Sequence, residues 1–236
     1  MPNVHETWTV LEHGDLEELQ PNLWRVEGAI PGMQMKRVMT VARRSDGVLV
    51  IHNGIGLPED MMKAIESKGE VGFIVVPNGY HRLDAKPYKA RYPKAKVLCP
   101  KAAQKKVAEV IPVDLTYDEF PADDAVELRH LAGCKDREGV MIVRHEDQVT
   151  LVFNDAVMNM PHLPGFAGFV LRRLTSSTGG PTVSRLTKMA MISDKRAFFE
   201  DLDRLADLPG LQRIVVSHHE VIDEDPASVL RSLAHG

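Results

Sequence analysis

The chain has 236 residues, 44% of them hydrophobic and 6% aromatic, with 15 Pro and 17 Gly, which is the composition of a folded globular protein and excludes disordered, collagen-like and coiled-coil chains. Twenty-nine basic residues against 33 acidic ones leave a formal charge of −4 with the signs interspersed, so no extended basic face is available to phosphates and a nucleic-acid partner is not expected. Cys99 and Cys134 are too few for a disulfide framework and form no C-x-x-C pair, which points to a reducing compartment.

The opening residues lack the basic and apolar segments of a secretory leader, and no apolar run approaches the roughly 18 residues of a membrane helix. A cytoplasmic protein without a membrane partner is therefore expected. Length permits one large domain, taken here as residues 1–236 with 1–20 as an N-terminal extension.

The ordered part opens with strand-like runs at Leu23 to Ala29 and Arg37 to Arg43, joined through Pro31-Gly32. Ser45-Asp46-Gly47 signals a tight turn before Val48 to Ile51, a continuous apolar run of the kind buried on both faces. A helix started by Pro58 runs through Lys68, Val71 to Val76 is the next buried strand, and Lys96 to Leu98 and Lys101 to Val110 read as a short strand and a helix. Three strands follow in close succession, at Val126 to Leu131, Val140 to Arg144 and Val149 to Phe153.

An irregular stretch with one helix near Phe166 to Leu174 precedes a helix opened by Ser193-Asp194, a buried strand at Arg213 to Val216 and a last helix from Pro226 to Ala234. The strand clusters break the regular alternation of a doubly wound fold. Two similar halves of strands followed by α/β units instead predict an α/β protein built as a four-layer αββα sandwich of two mixed β-sheets.

Metal-capable and polar residues follow the ends of the buried strands, where a rigid sheet positions functional loops. They are His52-Asn53, Asn78 and His81, Cys134, Asn154-Asp155, and Ser217-His218-His219. Each has a structural reading as well: His52 as a hydrogen-bonding loop residue, Asn78 as a turn cap, Cys134 as a small buried filler and Asp155 as a helix cap. Adjacent imidazoles at 218 and 219 are harder to explain that way, because both would be costly to desolvate without partners. Convergence of His81, Cys134, Asp155 and His218 would give a ligand set of the type zinc or iron accepts. No H-E-x-x-H, G-x-S-x-G, P-loop or G-x-G-x-x-G signature is present.

From about Leu23 to Ile222 the order of elements and motifs resembles the metallo-β-lactamase-fold superfamily. Ile51-His52-Asn53-Gly54 stands where that superfamily has an Asp-Thr-Gly-like turn, and Pro77-Asn78-Gly79-Tyr80-His81-Arg82-Leu83-Asp84 stands at its His-x-His-x-Asp-His motif. Leu131-Ala132-Gly133-Cys134 is similar to its Pro-Gly-His turn, Asn154-Asp155 to its Gly-Asp turn and Ser217-His218-His219 to its closing Gly-His turn. The runs MTVARRSDGVLVIHNGIGL, FIVVPNGYHRLDAKPYKARYPKAKVLCP and LVFNDAVMNM resemble a divergent branch with an Asn-x-x-His pattern.

The resemblance implies the αββα fold and a reduced, mononuclear metal site for one Zn or Fe ion, since a complete dinuclear site needs about five imidazoles and two carboxylates. It implies Asp155 and His218 as ligands, with Cys134 as a substituted ligand and His81 in place of a missing histidine; in the mechanism expected here His219 or Asp84 shuttles the proton and His52, Asn78 and Tyr80 surround a small-molecule substrate.

The expected activity is hydrolysis of an ester, lactone or related carbonyl. The alternative is a non-catalytic small-ligand-binding protein on the same fold that has lost the metal site, and a third reading is oxygen chemistry at an iron site. Residues 158–192 are expected to cover the pocket as a lid or to form a homodimer contact, with Phe166, Phe169 and Leu171 as core and Arg172, Arg173 and Arg185 as candidate anion contacts.

Overall fold

The computed structural model describes residues 4–235, apart from the side chains of residues 166, 167 and 171. Strands β1 (Glu17–Gln20), β2 (Leu23–Ala29), β3 (Lys36–Arg43) and β4 (Leu49–His52) pair antiparallel in sequence order. Helix α1 (Glu59–Glu66) then leads to β5 (Val71–Val75), helix α2 (Ala85–Arg91) to β6 (Lys96–Cys99), and a 3-10 turn with α3 (Gln104–Val107) to β7 (Leu115–Thr116). These strands add in parallel and complete a seven-stranded sheet in the order β1 to β7.

The second half begins with the antiparallel strands β8 (Val126–His130), β9 (Gly139–His145) and β10 (Gln148–Phe153). A two-stranded ribbon of β11 (Met158–Met160) and β12 (Gly180–Thr182) encloses α4 (Gly165–Arg173) and is followed by α5 (Arg185–Ala190). Helix α6 (Lys195–Ala206) precedes β13 (Leu211–Val215), which lies parallel to β10, and α7 (Pro226–His235) ends the chain. The second large sheet has the order β13-β10-β9-β8.

Strand periodicity divides the side chains among three apolar layers. In β3, Val38 and Ala42 face the other sheet while Met39 and Val41 face helices α1 and α2; in β4, Val50 faces the other sheet while Leu49 and Ile51 meet the helices. The second sheet repeats this: Met141, Val143, Val152 and Val215 point to the sheet interface, and Ile142, Leu151, Phe153 and Ile214 pack on Phe198, Leu202 and Leu230 of α6 and α7. The predicted αββα order of layers is therefore present. Between the sheets, Thr150 donates to Gln20 (2.9 Å), Gln20 to Asn22 (2.9 Å) and Asn22 to the Arg144 carbonyl (3.0 Å), so the buried polar groups there are hydrogen-bonded.

Several sequence expectations need correction. The helix predicted to Val110 stops at Val107, and β1, β7, β11, β12 and α5 were not anticipated, because segments of two to six residues carry too few positions to show a period. Phe169 is exposed at 57% and is not core; Phe166 and Leu171 lie outside the described side chains. The N-terminal extension packs onto the first half: Trp8 donates its indole N–H to the Leu57 carbonyl (2.8 Å), and a Cβ at Gly56 would sit 2.2 Å from the Thr9 carbonyl oxygen. No helix among the described residues is long and apolar enough to cross a membrane.

Candidate functional site

The loops after β4, β5, β10 and β13 meet at one edge of the sandwich, and three side chains converge there. His81, Asp155 and His218 each offer a ligand atom, all within 4.8 Å of one another. Both imidazole Nε2 atoms lie 3.2 Å from Asp155 Oδ1, and the ring centroids are 5.2 Å apart.

The surrounding hydrogen bonds fix how these groups point. His218 Nδ1 is 2.8 Å from the Lys36 carbonyl, which only accepts, so Nδ1 carries the proton and Nε2 presents its lone pair to the site. His81 Nδ1 is 3.2 Å from Asn53 Oδ1, and Asn53 is oriented by donating from Nδ2 to the Val38 carbonyl (2.8 Å). Asn53 itself has φ +57°, a left-handed conformation that asparagine tolerates better than most residues. Asn78 explains the Asn-x-x-His spacing: its Oδ1 accepts the backbone N–H groups of Tyr80 (2.8 Å) and His81 (3.2 Å), while its Nδ2 donates to Asp155 Oδ2 (2.7 Å) and Glu138 Oε1 (2.9 Å). One amide thus shapes the loop that carries His81 and holds the carboxylate.

Two neutral imidazole lone pairs and a carboxylate oxygen facing one another repel unless a proton or a metal cation lies between them. Burial disfavours the His218 imidazolium, yet hydrogen bonding and charge attraction from Asp155 outweigh it and raise the pKa of His218. Burial would likewise raise Asp155, but the His81 charge and the hydrogen bonds of both imidazoles hold its carboxyl well below the usual range. The site is built for positive charge. Its two-nitrogen, one-carboxylate donor set, with each imidazole fixed through its other nitrogen, is one that first-row divalent metals accept.

The other predicted site residues lie elsewhere. Cys134 is fully buried among Leu131, Val140 and Phe198 and does not join the three ligand atoms; burial, chiefly, pushes its thiol up to about 12, so it is the apolar filler rather than a thiolate ligand. His219 accepts the Lys36 backbone N–H at Nε2 (3.1 Å) in a left-handed conformation (φ +64°), and burial and the His218 charge lower its pKa. It clasps β3 and does not line the cavity.

Asp84 directly precedes α2, 2.8 Å from His5 Nδ1 and 2.5 Å from Arg37 Nη1, and is not part of the three-residue cluster. His52 and Asn78 are buried behind the cluster and do not line the cavity, whereas Tyr80 does. Burial and the His81 charge lower His52 to about 3, so it stays neutral.

Sequence reasoning missed Glu138, which sits in an ordinary charged turn before β9 and carries no signal of its role. It is fully buried and accepts from both Asn78 and Asn154 (3.2 Å), and Ser217 in turn donates to Asn154 Oδ1 (2.7 Å). Burial and the nearby Asp155 charge push its carboxyl well above the usual range.

Above the cluster lies a cavity of about 470 Å³. Its wall includes Met33, Met35, Met158, Met160 and Met191, with Arg37 as its guanidinium and residues from α5 closing one side. Thr187 of α5 donates to the Asp155 carbonyl (2.9 Å), tying that side to the cluster. Arg172, Arg173 and Arg185 do not line the cavity. A larger and more open groove of about 820 Å³ at the opposite strand ends, flanked by Arg43, Lys68 and Arg144, holds none of the three converging residues.

No family model and no curated protein matches the sequence. Solved structures do match the fold. A metallo-β-lactamase from Pontibacter korlensis superposes with a TM-score of 0.60 at 13% identity, covering 94% of this chain and 99% of that one. The metallo-β-lactamase DIM-1, in a structure exposed to ceftazidime, gives 0.61 at 14% identity over 95% and 98%, and TMB-1 gives 0.60 at 13% over 96% and 98%. Together with the two mixed sheets and their flanking helices, these matches over nearly the full length show that the chain has the metallo-β-lactamase fold.

Proposed function

We propose that the protein is a metal-dependent hydrolase of a small ester, lactone or related carbonyl compound, with one zinc or iron ion held by His81, Asp155 and His218. The observation that carries this reading is the convergence of His81 Nε2, His218 Nε2 and Asp155 Oδ1 at one point, with each imidazole held through its other nitrogen. When bound, the ion supplies Lewis-acid polarisation of the carbonyl and a water of lowered pKa. The protein supplies the rest: Lys36 and Asn53 hold the imidazoles, Asn78 holds Asp155, and the apolar cavity excludes bulk water from the substrate. In the net reaction the water oxygen bonds to the carbonyl carbon, the carbon–oxygen bond to the leaving alcohol breaks, and the water proton ends on that leaving oxygen.

The test is hydrolysis of neutral acyl esters and lactones by the wild-type protein stripped of metal and reconstituted with Zn or Fe(II). Metal-restored turnover that is lost in His218→Ala supports the proposal. Folded protein that takes up no metal and turns over no ester or lactone favours the ligand-binding alternative without a metal site, to which the hydrogen-bonding role of Asn78 lends weight.

A further inference from the structure

One long segment of the chain has no acidic residue. Between residues 156 and 193 there is neither Asp nor Glu, although 33 occur in the whole sequence, and the segment holds Arg172, Arg173, Arg185 and Lys188. The three arginines are exposed and Lys188 is half-buried. Elsewhere on the surface arginines are held in ion pairs such as Arg129–Asp201 and Arg196–Glu200, but among the described residues none of these four cations meets a carboxylate.

The same segment exposes large apolar side chains. Leu174, Leu186 and Met189 are exposed at 65%, 62% and 84%, and Phe169 is exposed as well. Phe169, Arg172 and Arg173 share a face of α4 through their i, i+3 and i+4 spacing, and the Arg185 N–H donates to the Thr175 carbonyl (2.8 Å), which brings the chain after α4 against the start of α5. Thr175, Leu186 and Met191 line the cavity above the His81–Asp155–His218 cluster, so cations and apolar side chains together flank its mouth, where Met33 and Tyr80 are also exposed.

We infer that this face docks on an anionic lipid surface, with the arginines at the phosphate headgroups, Phe169, Leu174, Leu186 and Met189 in the apolar boundary, and the cavity opening toward the lipid. Basic residues interleaved with Phe and Leu are the composition of helices that lie in a membrane interface. A second copy of the chain fits less well, because a two-fold interface through this face would set the same unpaired cations against each other with no acid in the segment to offset them. Lying on a lipid surface needs no spanning helix, so the lack of one, which led to the expectation of no membrane partner, does not bear on this face.

The test is co-sedimentation of the full chain with vesicles of phosphatidylcholine and phosphatidylglycerol in equal parts, against vesicles of phosphatidylcholine alone. Chelator-treated protein is used, so that the result does not depend on a metal or on the hydrolase reading. Binding to the anionic vesicles is expected to be about tenfold or more tighter, and to weaken between about 0.1 M and 1 M salt as the screening length shortens from ~10 Å to ~3 Å. Each cation at such a surface strengthens binding about fivefold, so Arg172→Gln/Arg173→Gln is expected to weaken it about tenfold or more. Phe169→Ser/Met189→Ser, at unchanged charge, is expected to weaken it severalfold, and circular dichroism checks the fold of both variants.

Lys63→Gln/Lys105→Gln, which removes two exposed cations from α1 and α3, is the control and is expected to bind as wild type does. Equal or absent binding to the two kinds of vesicle, a loss in the arginine variant no greater than in this control, or unchanged binding in Phe169→Ser/Met189→Ser would overturn the inference. A dimer in sedimentation velocity that Phe169→Ser/Met189→Ser dissociates would also overturn it, in favour of a second copy on the same face.

Discussion

Replacing Asn78 by Ala removes more from the site than its size suggests. The side chain makes four hydrogen bonds at 2.7–3.2 Å: two accepted from the N–H groups of Tyr80 and His81, and two donated to Asp155 and Glu138. Asn78 is 3% exposed, so water does not readily replace what is lost. Each net bond is worth about 0.5–1.5 kcal/mol, and a buried partner left unsatisfied costs about 1–3 kcal/mol. Because the bonds share one amide and relax together, their sum is an upper bound, and a loss of about 2–4 kcal/mol is expected in urea unfolding of the metal-free protein.

The same change frees both the His81 loop and the Asp155 carboxylate, so zinc affinity should fall about 10–100-fold, as for other residues that orient metal ligands. The assays are equilibrium urea unfolding and competition with a chromophoric zinc chelator. A variant within about 0.5 kcal/mol of wild type, the scatter of ordinary surface substitutions, and with unchanged zinc affinity would refute the role given to Asn78.

Cys134→Ala tests the placement of the thiol in the core: it should cost about 1 kcal/mol of stability and leave the bound metal unchanged by elemental analysis. Asp201, held below the usual carboxylate range by hydrogen bonds from Arg129 and the Ala132 N–H despite its burial, contributes stability that is complete above the unfolded value near pH ~3.9. As its folded value is the lower one, that contribution disappears as pH falls through it; an Asp201→Asn protein should unfold more easily at pH 7 and show a smaller loss on acidification, measured by thermal melts across pH. Gly133 has φ +75° and a Cβ there would lie 2.2 Å from the Asp194 carbonyl oxygen, so Gly133→Ala should displace the start of α6 and lower the melting temperature, whereas Gly32→Ala, with open space around it, should cost only its backbone strain.

The long buried strands were legible in the sequence because their runs are almost wholly apolar. Val48 to Ile51, Val71 to Val76 and Val149 to Phe153 each serve two layers, helices on one face and the opposite sheet on the other, and that demand writes itself into nearly every position, Thr150 excepted. His81, Asp155 and His218 were legible for a different reason: each follows such a strand, and a sheet gathers its strand ends at one edge. Cys134 follows a strand as well, but its side chain turns into the α6 layer, and sequence position does not specify which way a loop side chain turns. Glu138 as a support of the site and Arg37 as a cavity-wall residue were illegible. One sits in a charged turn and the other near the start of β3, and only the distances to Asn78, Asn154, Ala29 and Asp84 reveal their contacts. The methionine wall was equally hidden, since Met33 and Met35 come from the loop before β3 and Met158, Met160 and Met191 from the segment after β10.

The most direct measurement is the metal content of untagged protein purified without chelator, compared with Asp155→Asn and His218→Ala variants confirmed as folded. The account predicts about one zinc or iron ion per chain in wild type and little in either variant, because each removes one of three donors. Wild-type protein that is folded, carries no metal and takes up neither Zn nor Fe(II) on titration would contradict it.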